Sequence, residues 1–426
     1  MPVSGAIGGH LERRVCDPRA VKARVVFALA LVCFGCRSSR HDRPVSDVAA
    51  RRPDAAPGVM GCVAPEAATS ADGGVGFSER DWRRVRRMSP VPPLPPDPTN
   101  RYADDPRAAA LGRALFDDVG LSRDGRTSCG GCHAAPHLYA DLRPLAVAGE
   151  PPRVGRRNVP SLVGSAYKRW QTWDGAADSL WAQPALAFEN PLEHGLTRAE
   201  LARLVGVRHG EAYEAVFGGP VTFATTDEVD RVVANVGKAL AAYVRTLAVG
   251  AAPFDRWVAG DHAAMPAEAV AGLAVFLRVG CVRCHSGAMF SDGDFHAARF
   301  PDDPRVGPDR GAVEGQARAR ASVFQGRGRY SDAPGEPFPI EAPTAEMRGR
   351  FVTPTLRGVA LTAPYGHAGT VATLEEVIGL YAQGGMPVGH ALTQGGEDPF
   401  LAPFAVSEAE TRALVAFLRA LTPDAR

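Results

Sequence analysis

Two copies of the pattern Cys-x-x-Cys-His lie 152 residues apart in the chain. The first is Cys129-Gly-Gly-Cys132-His133 and the second is Cys281-Val-Arg-Cys284-His285. In each copy two thiols stand one helical turn apart, with an imidazole directly after the second. This arrangement bonds both vinyl groups of a haem and ligates its iron from one side. Zinc ligation and a redox-active thiol pair are the alternatives. Two copies in one chain favour two covalent c-type haems, with the two histidines as proximal ligands.

Composition narrows the class of protein that carries these motifs. The 426 residues include 48 basic and 47 acidic side chains, and the net charge of +1 gives no argument for nucleic acid as a partner. The length suits two or three domains, and 46 Gly with 36 Pro fit long loops wrapped around cofactors. Four of the eight cysteines belong to the haem motifs and the other four lie within the first 62 residues. No thiols therefore remain in the body for a disulfide framework.

Residues 1–36 have the pattern of a signal peptide. Five basic side chains between Arg13 and Arg24 precede the apolar run Val25–Gly35. A run of this length is too short to span a bilayer as a helix and suits the core of a signal peptide. The sequence thus predicts a periplasmic protein, which agrees with haem attachment outside the bacterial cytoplasm. The run ends Cys33-Phe-Gly-Cys36, which resembles a lipoprotein cleavage site and makes Cys36 a candidate lipid anchor. Cys33 stands where that pattern prefers Leu, so simple cleavage and an uncleaved anchor stay open.

Residues 37–100 are rich in Pro, Arg, Ala and Gly and end in the proline run Pro90–Pro98. Such a segment buries too little apolar surface to offset the entropy of ordering it. We therefore predict a flexible tether. Docking of Trp82 on the body or on lipid headgroups is the alternative reading of this segment, and Cys62 in it is an unpaired thiol.

The helical periodicity beyond the tether predicts a mainly α fold with two cytochrome c-like domains, residues 101–250 and 251–426. A short helix from Pro106 to Phe116 precedes the first haem motif, and one from Pro266 leads into the second. A capping box at Ser407 and Glu410 starts the last helix. Only short strands are expected, and residues 286–350 are predicted to form a long loop region. The stripe that closes the first domain comprises Val229, Val232, Val233, Val236, Leu240, Tyr243, Val244 and Leu247.

From about residue 101 to the C-terminus the chain resembles the bacterial di-haem cytochrome c peroxidases and the related MauG-type di-haem oxidases. Ordered motifs over more than 300 residues carry the resemblance. They are Gly155-Arg-Arg-Asn158-Val-Pro-Ser, Trp173-Asp-Gly, Glu189-Asn-Pro-Leu-Glu193-His-Gly, Pro253-Phe-Asp-Arg, Phe290-Ser-Asp-Gly, Thr353-Pro-Thr-Leu-Arg357 and Leu361-Thr-Ala-Pro-Tyr-Gly-His367.

The resemblance implies three catalytic residues. Trp173 matches the tryptophan on the electron path between the haems, and the alternative is an ordinary buried aromatic. Gln183 and Glu193 match the peroxide pocket over the first haem, where a carboxylate moves a proton between the two peroxide oxygens. The alternative for Glu193 is a solvated charge beside a turn. Ala187 stands where the family usually has proline, which changes the shape of the pocket more than its chemistry.

The family's distal histidine, which blocks the first iron in many of these peroxidases, has no counterpart here. His137 is the only histidine between His133 and Trp173, and it stands four residues after the ligand. That is too close for the side chain to reach the opposite face of the haem. We therefore predict an open first haem and a surface or propionate contact for His137.

Three further matches imply a calcium ion between the haems. Asn158, by its side-chain oxygen, and Thr362 and Pro364, by their backbone carbonyls, occupy the matching positions, and oxygen ligands with water suit calcium. Without the resemblance these residues would not indicate a metal site. Arg357 is expected to pair with haem propionates, because a guanidinium fork matches a carboxylate.

Tyr381 is the candidate distal ligand of the second haem. In the peroxidases a methionine stands fourteen residues after the histidine that matches His367, and here that position is Tyr381, as in MauG-type enzymes. A phenolate favours oxidised iron, whereas a thioether raises the haem potential. Met386 and the absence of any side-chain ligand stay open. Tyr381 also continues an ordinary core stripe with Leu374, Val377 and Ile378.

The resemblance implies a periplasmic peroxidase. The second haem would take electrons from a small soluble donor, such as a cytochrome c or a cupredoxin, and pass them to the first, where hydrogen peroxide is reduced to water. A MauG-type oxidase that acts on a tryptophan or tyrosine of a partner protein is one alternative. A di-haem electron carrier without a substrate is another, and an open site beside Glu193 argues against it. The sequence does not specify the oligomeric state.

Overall fold

The computed structural model describes residues 76–335 and 340–424, all within one compact unit, Val63–Arg426. The candidate signal peptide, Cys36 and Cys62 lie outside the described residues. The fold is mainly α, as predicted. The helices are α1 Glu79–Val85, α2 Pro106–Asp117, α3 Cys129–Cys132, α4 Gln183–Glu189, α5 Arg198–Phe217, α6 Thr226–Arg245, α7 Pro253–Val258, α8 Ala267–Arg278, α9 Ala312–Ala321, α10 Leu374–Ala382 and α11 Glu408–Arg419.

Short elements connect these helices. Two antiparallel pairs of two-residue strands occur among the described residues, which agrees with the prediction of short strands only. The pairs are β1 Val147–Ala148 with β2 Arg153–Val154, and β3 Phe295–His296 with β4 Phe351–Val352. The 3-10 helices are Val119–Leu121, Ala135–His137, Ser165–Tyr167, His262–Ala264, Cys281–Arg283, Ala345–Met347 and Val359–Leu361.

One close helix crossing organises the first half of the unit. Asp105 caps α2 by accepting a hydrogen bond from the backbone of Arg107, and Pro106 occupies the first turn. Helix α6 crosses α2 at Gly112, where a Cβ atom would lie 2.0 Å from the carbonyl oxygen of Ala239. Only glycine permits this approach of two backbones. The predicted helix from Pro106 is confirmed, and so is the apolar stripe on α6 from Val229 to Val244; Leu247 lies past the end of that helix.

The second half repeats the same crossing with α8 and α11. A Cβ atom on Gly272 of α8 would lie 1.9 Å from the carbonyl oxygen of Ala413 on α11. The capping box at Ser407 and Glu410 is present, as predicted. Both crossings lie directly beside a haem motif along the chain, since α2 precedes the first motif and α8 the second. The helix that precedes each haem motif in the sequence therefore belongs to one of two copies of the same helix pair.

The prediction of a flexible tether is wrong for residues 76–100. Helix α1 begins with a capping box at Ser78 and Asp81, and Val85 and Met88 are 0% and 1% exposed in the core of the second half. Trp82 stacks on Trp257 with ring centroids 5.3 Å apart. These three apolar side chains among many arginines were enough for docking, because Trp257 of α7 and the apolar cluster of the second half supply their partners.

The prediction of a continuous loop over 286–350 is also wrong in one place, because α9 lies within it. Its sequence contains many Ala and Arg residues and no apolar stripe, so periodicity gave no signal. The helix is held by close packing instead: a Cβ atom on Gly315 would lie 2.0 Å from the carbonyl oxygen of Asp174. Ala319 is buried beside Trp170 in a small third cluster.

Within the part of the chain that the structure describes, no helix is long and apolar enough to cross a membrane.

Candidate functional site

The first haem motif is folded for attachment of a porphyrin. Ser128 caps α3 by accepting a hydrogen bond from Gly131, which winds Cys129 and Cys132 into one turn. The Nδ1 atom of His133 lies 2.7 Å from the carbonyl oxygen of Tyr139. A carbonyl only accepts, so Nδ1 carries the proton and Nε2 keeps its lone pair for a metal.

The second motif repeats this geometry. Cys281 begins a 3-10 turn, and Nδ1 of His285 lies 3.0 Å from the carbonyl oxygen of Phe290. The two acceptor residues share an uncommon backbone, since Tyr139 has φ +57° and Phe290 has φ +50°. Side chains other than glycine rarely adopt this region. Each loop therefore holds a strained residue that aims its carbonyl at the ligand histidine.

Burial shifts the pKa of one thiol and of the histidine in each motif. It raises the pKa of the Cys129 and Cys281 thiols to about 12 each, and it lowers the pKa of His133 and His285. Both histidines are therefore neutral, which is the form that binds iron. The residues present fit two covalently attached haems.

A large cavity surrounds the second motif. It encloses about 1690 Å³ of empty space that is partly open to solvent, and Cys281, Cys284 and His285 line it. Trp173 and Tyr381 line the same cavity. Its wall is mostly apolar, which suits the flat face of a porphyrin.

Glu193 stands next to the first motif in a turn after α4. Its charge raises the pKa of both Cys129 and Cys132, so the carboxyl lies close to the thiols. Asn190 donates a hydrogen bond to Oε1 of Glu193 at 2.7 Å. Burial raises the pKa of Glu193 to about 7, against the opposing effect of the Asn190 hydrogen bond. The Asn190 bond leaves Oε2 free, so the carboxyl has one oxygen with which to exchange protons near neutral pH.

Two further contacts fix the backbone around Glu193. Arg153 donates to the Glu193 carbonyl oxygen at 2.8 Å and pairs with Asp124 at 2.9 Å. His194 bonds the carbonyl oxygen of Leu121 through Nδ1, and its Nε2 lies 3.8 Å from Sγ of Cys129. The sequence motif contained His194, but spacing alone gave it no role.

Gln183 is the first residue of α4, the helix that leads into the Glu193 turn. It is half-buried, and its side chain makes no hydrogen bond to a residue that the structure describes. Its amide is therefore available to a ligand.

Trp173 is fixed at the second cavity by its indole and its backbone. Nε1 donates to the carbonyl oxygen of Asn158 at 2.9 Å, and the Trp173 carbonyl accepts from Val352 at 2.9 Å. The adjacent Asp174 is fully buried and pairs with Arg157 at 2.8 Å and with Arg318. These ion pairs tie the segment around Trp173 to the segment around Asn158.

The three predicted calcium ligands also line this cavity. Asn158 uses its amide nitrogen to donate to the Arg143 carbonyl oxygen at 3.0 Å, which leaves Oδ1 without a hydrogen bond among the described residues. The carbonyl oxygens of Thr362 and Pro364 likewise accept no hydrogen bond there. The donor set fits a hard cation such as calcium.

Tyr381 and Met386 differ in position. Tyr381 lines the cavity, its hydroxyl makes no hydrogen bond to a described residue, and burial raises its pKa with a further contribution from Cys281 and Cys284. Met386 does not line the cavity, and its backbone is bonded to Arg299. Only the tyrosine is thus placed toward the second motif.

Arg357 lines the same cavity, and its guanidinium has protein partners there, so its pairing with haem propionates stays a prediction. It pairs with both carboxylate oxygens of Asp255 and donates to the carbonyl oxygens of Ala288 and Met88. Four of its N–H groups are used, and its side chain is 1% exposed. The residue joins the second motif's loop to α7 and to the segment after α1.

His137 lies in the 3-10 helix Ala135–His137, on the loop whose Tyr139 carbonyl contacts Nδ1 of His133. That loop is therefore behind the imidazole, on the side away from the iron position. This geometry agrees with the prediction that His137 does not cap the first haem.

His296 was missed by sequence reasoning. It bonds Asp292 at 2.9 Å and Asp398 at 3.2 Å, and the hydrogen bond with Asp292 is the largest of the effects that raise its pKa. Cys284, Asp292 and His296 are close enough to hold a metal ion, but the Cys284 sulfur belongs to the haem attachment. The cluster therefore indicates no separate metal site.

Comparisons with known proteins agree with this geometry. The family model for di-haem cytochrome c peroxidase matches residues 106–263. Cytochrome-c peroxidase IdrP1 of Denitromonas iodatirespirans is 34% identical over 330 residues, which cover 75% of this chain and 83% of that protein. Methylamine utilization protein MauG of Methylorubrum extorquens is 33% identical over 351 residues, which cover 80% and 84%.

Solved structures give the same result for the fold. A tyrosine-to-methionine variant of the diheme peroxidase BthA from Burkholderia thailandensis superposes with a TM-score of 0.62 at 25% identity, covering 77% of this chain and 89% of that one. A MauG-like protein associated with microbial copper homeostasis superposes with a TM-score of 0.60 at 25% identity, covering 78% and 95%.

Proposed function

The chain belongs to the di-haem cytochrome c peroxidase family, and we propose that it reduces hydrogen peroxide to water at the first motif. Membership makes it an oxidoreductase and implies two haem c groups, which we assign to Cys129, Cys132 and His133 and to Cys281, Cys284 and His285. The observation that carries the proposal is the buried carboxyl of Glu193 beside the first motif, with a pKa of about 7.

Glu193 would move the proton that the reaction needs. Hydrogen peroxide, two electrons and two protons give two waters. The Glu193 carboxylate accepts a proton from the nearer peroxide oxygen and returns it to the farther one, so that the O–O bond breaks with water as the leaving group. Asn190 holds Oε1, which directs Oε2 toward the substrate. Gln183 would orient peroxide through its unpaired amide.

When bound, the haems supply the iron that takes up peroxide and the electrons that reduce it. Trp173 would lie on the path of those electrons, and its hydrogen bond to Asn158 holds the indole in one orientation. Calcium bound by Asn158, Thr362 and Pro364 would stiffen the same region. Electrons would come from a small soluble donor, a cytochrome c or a cupredoxin, in the periplasm. The basic and apolar pattern of residues 1–36 supports export, with Cys36 as a candidate lipid anchor.

Tyr381 supports a second candidate function. It is the one cavity residue in the sequence position of the family's distal ligand, and we propose that its oxygen ligates the second haem. Because a phenolate stabilises oxidised iron, such a site suits an oxidase that acts on a tryptophan or tyrosine of a partner protein. The MauG proteins among the relatives make this the main competitor to peroxide reduction.

The test uses the purified protein with both haems attached. Reduced cytochrome c and peroxide are mixed with it, and donor oxidation is followed. Two donor molecules oxidised per peroxide, at a rate that depends on the protein, is the expected result. Peroxide consumption without donor oxidation, together with modified Trp or Tyr in an added partner protein, would favour the oxidase. Absence of both reactions would leave only electron transfer.

A further inference from the structure

Lysine is rare in this chain. Only Lys22, Lys168 and Lys238 occur among its 48 basic residues, and Lys22 lies outside the described residues. Lys238 is 4% exposed and pairs with Asp332 at 2.8 Å. The Lys168 ammonium makes no hydrogen bond or ion pair to any residue in 76–335 or 340–424. Of the two described lysines, the buried Lys238 has a partner and the half-buried Lys168 has none.

Lys168 lies between the two haem sites. Its side chain lines the cavity around Cys281 and His285, and its charge lowers the pKa of His133 in the first motif. The backbone of Lys168 is fixed: its N–H donates to Ser165 at 3.1 Å, and its carbonyl accepts from the buried Gln171 amide at 3.0 Å. The backbone hydrogen bonds therefore hold the residue at the wall of the second cavity.

The other cationic groups of this wall already have partners. Arg357 is paired with Asp255, and His367 bonds Asp302 at 2.8 Å. Arg299 donates to three backbone carbonyls, and His296 stands between two aspartates. Among the described residues of the cavity wall, Lys168 is the cation left for a ligand.

Removing an ammonium from water without a counter-ion raises the free energy of the folded protein. Burial lowers the pKa of Lys168 to about 8, so the chain holds a charge that its own residues do not compensate. The group that the cavity is built to receive carries carboxylates, since each haem has two propionates. One of these carboxylates removes the cost by pairing with the ammonium.

We propose that Lys168 binds a propionate carboxylate of the second haem, on the side of that haem that faces the first motif. The proposal rests on the haem occupancy given above. Arg357 is already paired with Asp255, which leaves Lys168 as the cation for this carboxylate. By neutralising a propionate, the ammonium disfavours the additional positive charge of ferric iron and so raises the reduction potential of the second haem.

The test compares Lys168→Gln with wild type, with both haems attached. We expect a lower potential for the second haem in K168Q and a smaller change for the first. We also expect a new pH dependence, because an unpaired buried carboxylate has a raised pKa. The potential then falls as pH rises through that pKa, whereas it is flat in wild type. Arg169→Gln, which removes one exposed charge from the next residue, is the matched control and should leave the potential unchanged.

Unchanged potential and pH profile in K168Q, with two haems attached, overturns the proposal and leaves the proposed function intact. Fewer than two haems in the wild type overturns the proposed function itself. If K168Q loses a haem, the proposal is tested instead on wild-type protein labelled with ¹⁵N-lysine. Its infrared difference spectrum on reduction of the second haem should contain an isotope-sensitive ammonium band that Lys168→Arg abolishes. Absence of that band also overturns the proposal.

Discussion

The two halves of the molecule share one helix arrangement and differ in the ionisable side chain that lies near the haem motif. Each half has a pair of helices that cross at a glycine, Gly112 or Gly272. In each half, Nδ1 of the histidine also bonds the carbonyl oxygen of a residue in the left-handed backbone conformation. Beside the first motif stands the titratable carboxyl of Glu193, whereas Tyr381 lines the cavity of the second. On the function proposed above, the shared helix arrangement would attach a haem in each half, and Glu193 or Tyr381 would determine what that haem does.

The largest expected effect is at Glu193, beside the first motif. Glu193→Gln keeps the shape of the side chain and removes its proton, so peroxide turnover should fall about 10²- to 10⁴-fold with both haems still attached. Steady-state oxidation of reduced donor measures the effect. Glu189→Gln, an exposed position in α4, is the control and should retain activity. A loss below about threefold in E193Q would mean that the carboxyl does not carry the proton.

The same comparison predicts a change at the second haem in Tyr381→Met. Replacing a phenolate by a thioether should raise the potential of this haem by tens to hundreds of millivolts, within the roughly 0.8 V that axial ligands span. Spectroelectrochemistry measures it. Tyr365→Phe is the control. Tyr365 lines the same cavity, but its hydroxyl donates to the carbonyl oxygen of Val359, so its removal should change the potential of the second haem little. A methionine-type near-infrared band in the wild type would exclude tyrosine ligation.

The two close helix crossings are tested by substituting the glycine at each crossing. Gly112→Ala and Gly272→Ala should each lower the free energy of unfolding by about 1–3 kcal/mol, because the added methyl meets a backbone oxygen. Thermal or denaturant unfolding measures the loss. Gly210→Ala in α5 and Gly379→Ala in α10 have nothing within 4 Å of the new methyl and should gain about 0.5–1 kcal/mol. Equal effects at all four positions would contradict the close crossing.

The smallest effect concerns the pH profile of the first site. Glu193 must be ionised to accept the peroxide proton, so activity should fall as pH drops through its pKa of about 7. The Asn190 hydrogen bond lowers that pKa; hence Asn190→Ala should raise it and move the acid limb upward by about one to two pH units. Asn235→Ala, whose amide bonds Tyr213, is the control. A downward shift in N190A would show that another group controls the limb.

Local sequence patterns predicted the helices well, because a cap or an apolar stripe depends only on residues close in sequence. The caps at Asp105 and Ser407 and the stripe on α6 specify helices within one or two turns. The residues that the resemblance implied for the region between the haems all line one cavity. They are Trp173, Asn158, Thr362 and Pro364. Helix α9 was missed because its Ala and Arg residues have no apolar period, and close packing at Gly315 holds it.

By itself, the sequence determined the two attachment motifs, the helix pairs beside them and the candidate ligands, since covalent spacing and periodicity are local properties. Tertiary structure alone decided the partner of each charge. Arg357 finds Asp255 across 102 residues, Trp82 docks on Trp257, and Glu193 reaches a pKa of about 7. Lys168 is left facing the second cavity. Burial and pairing depend on residues that meet only in the folded chain, and these set the free energy of each ionised group.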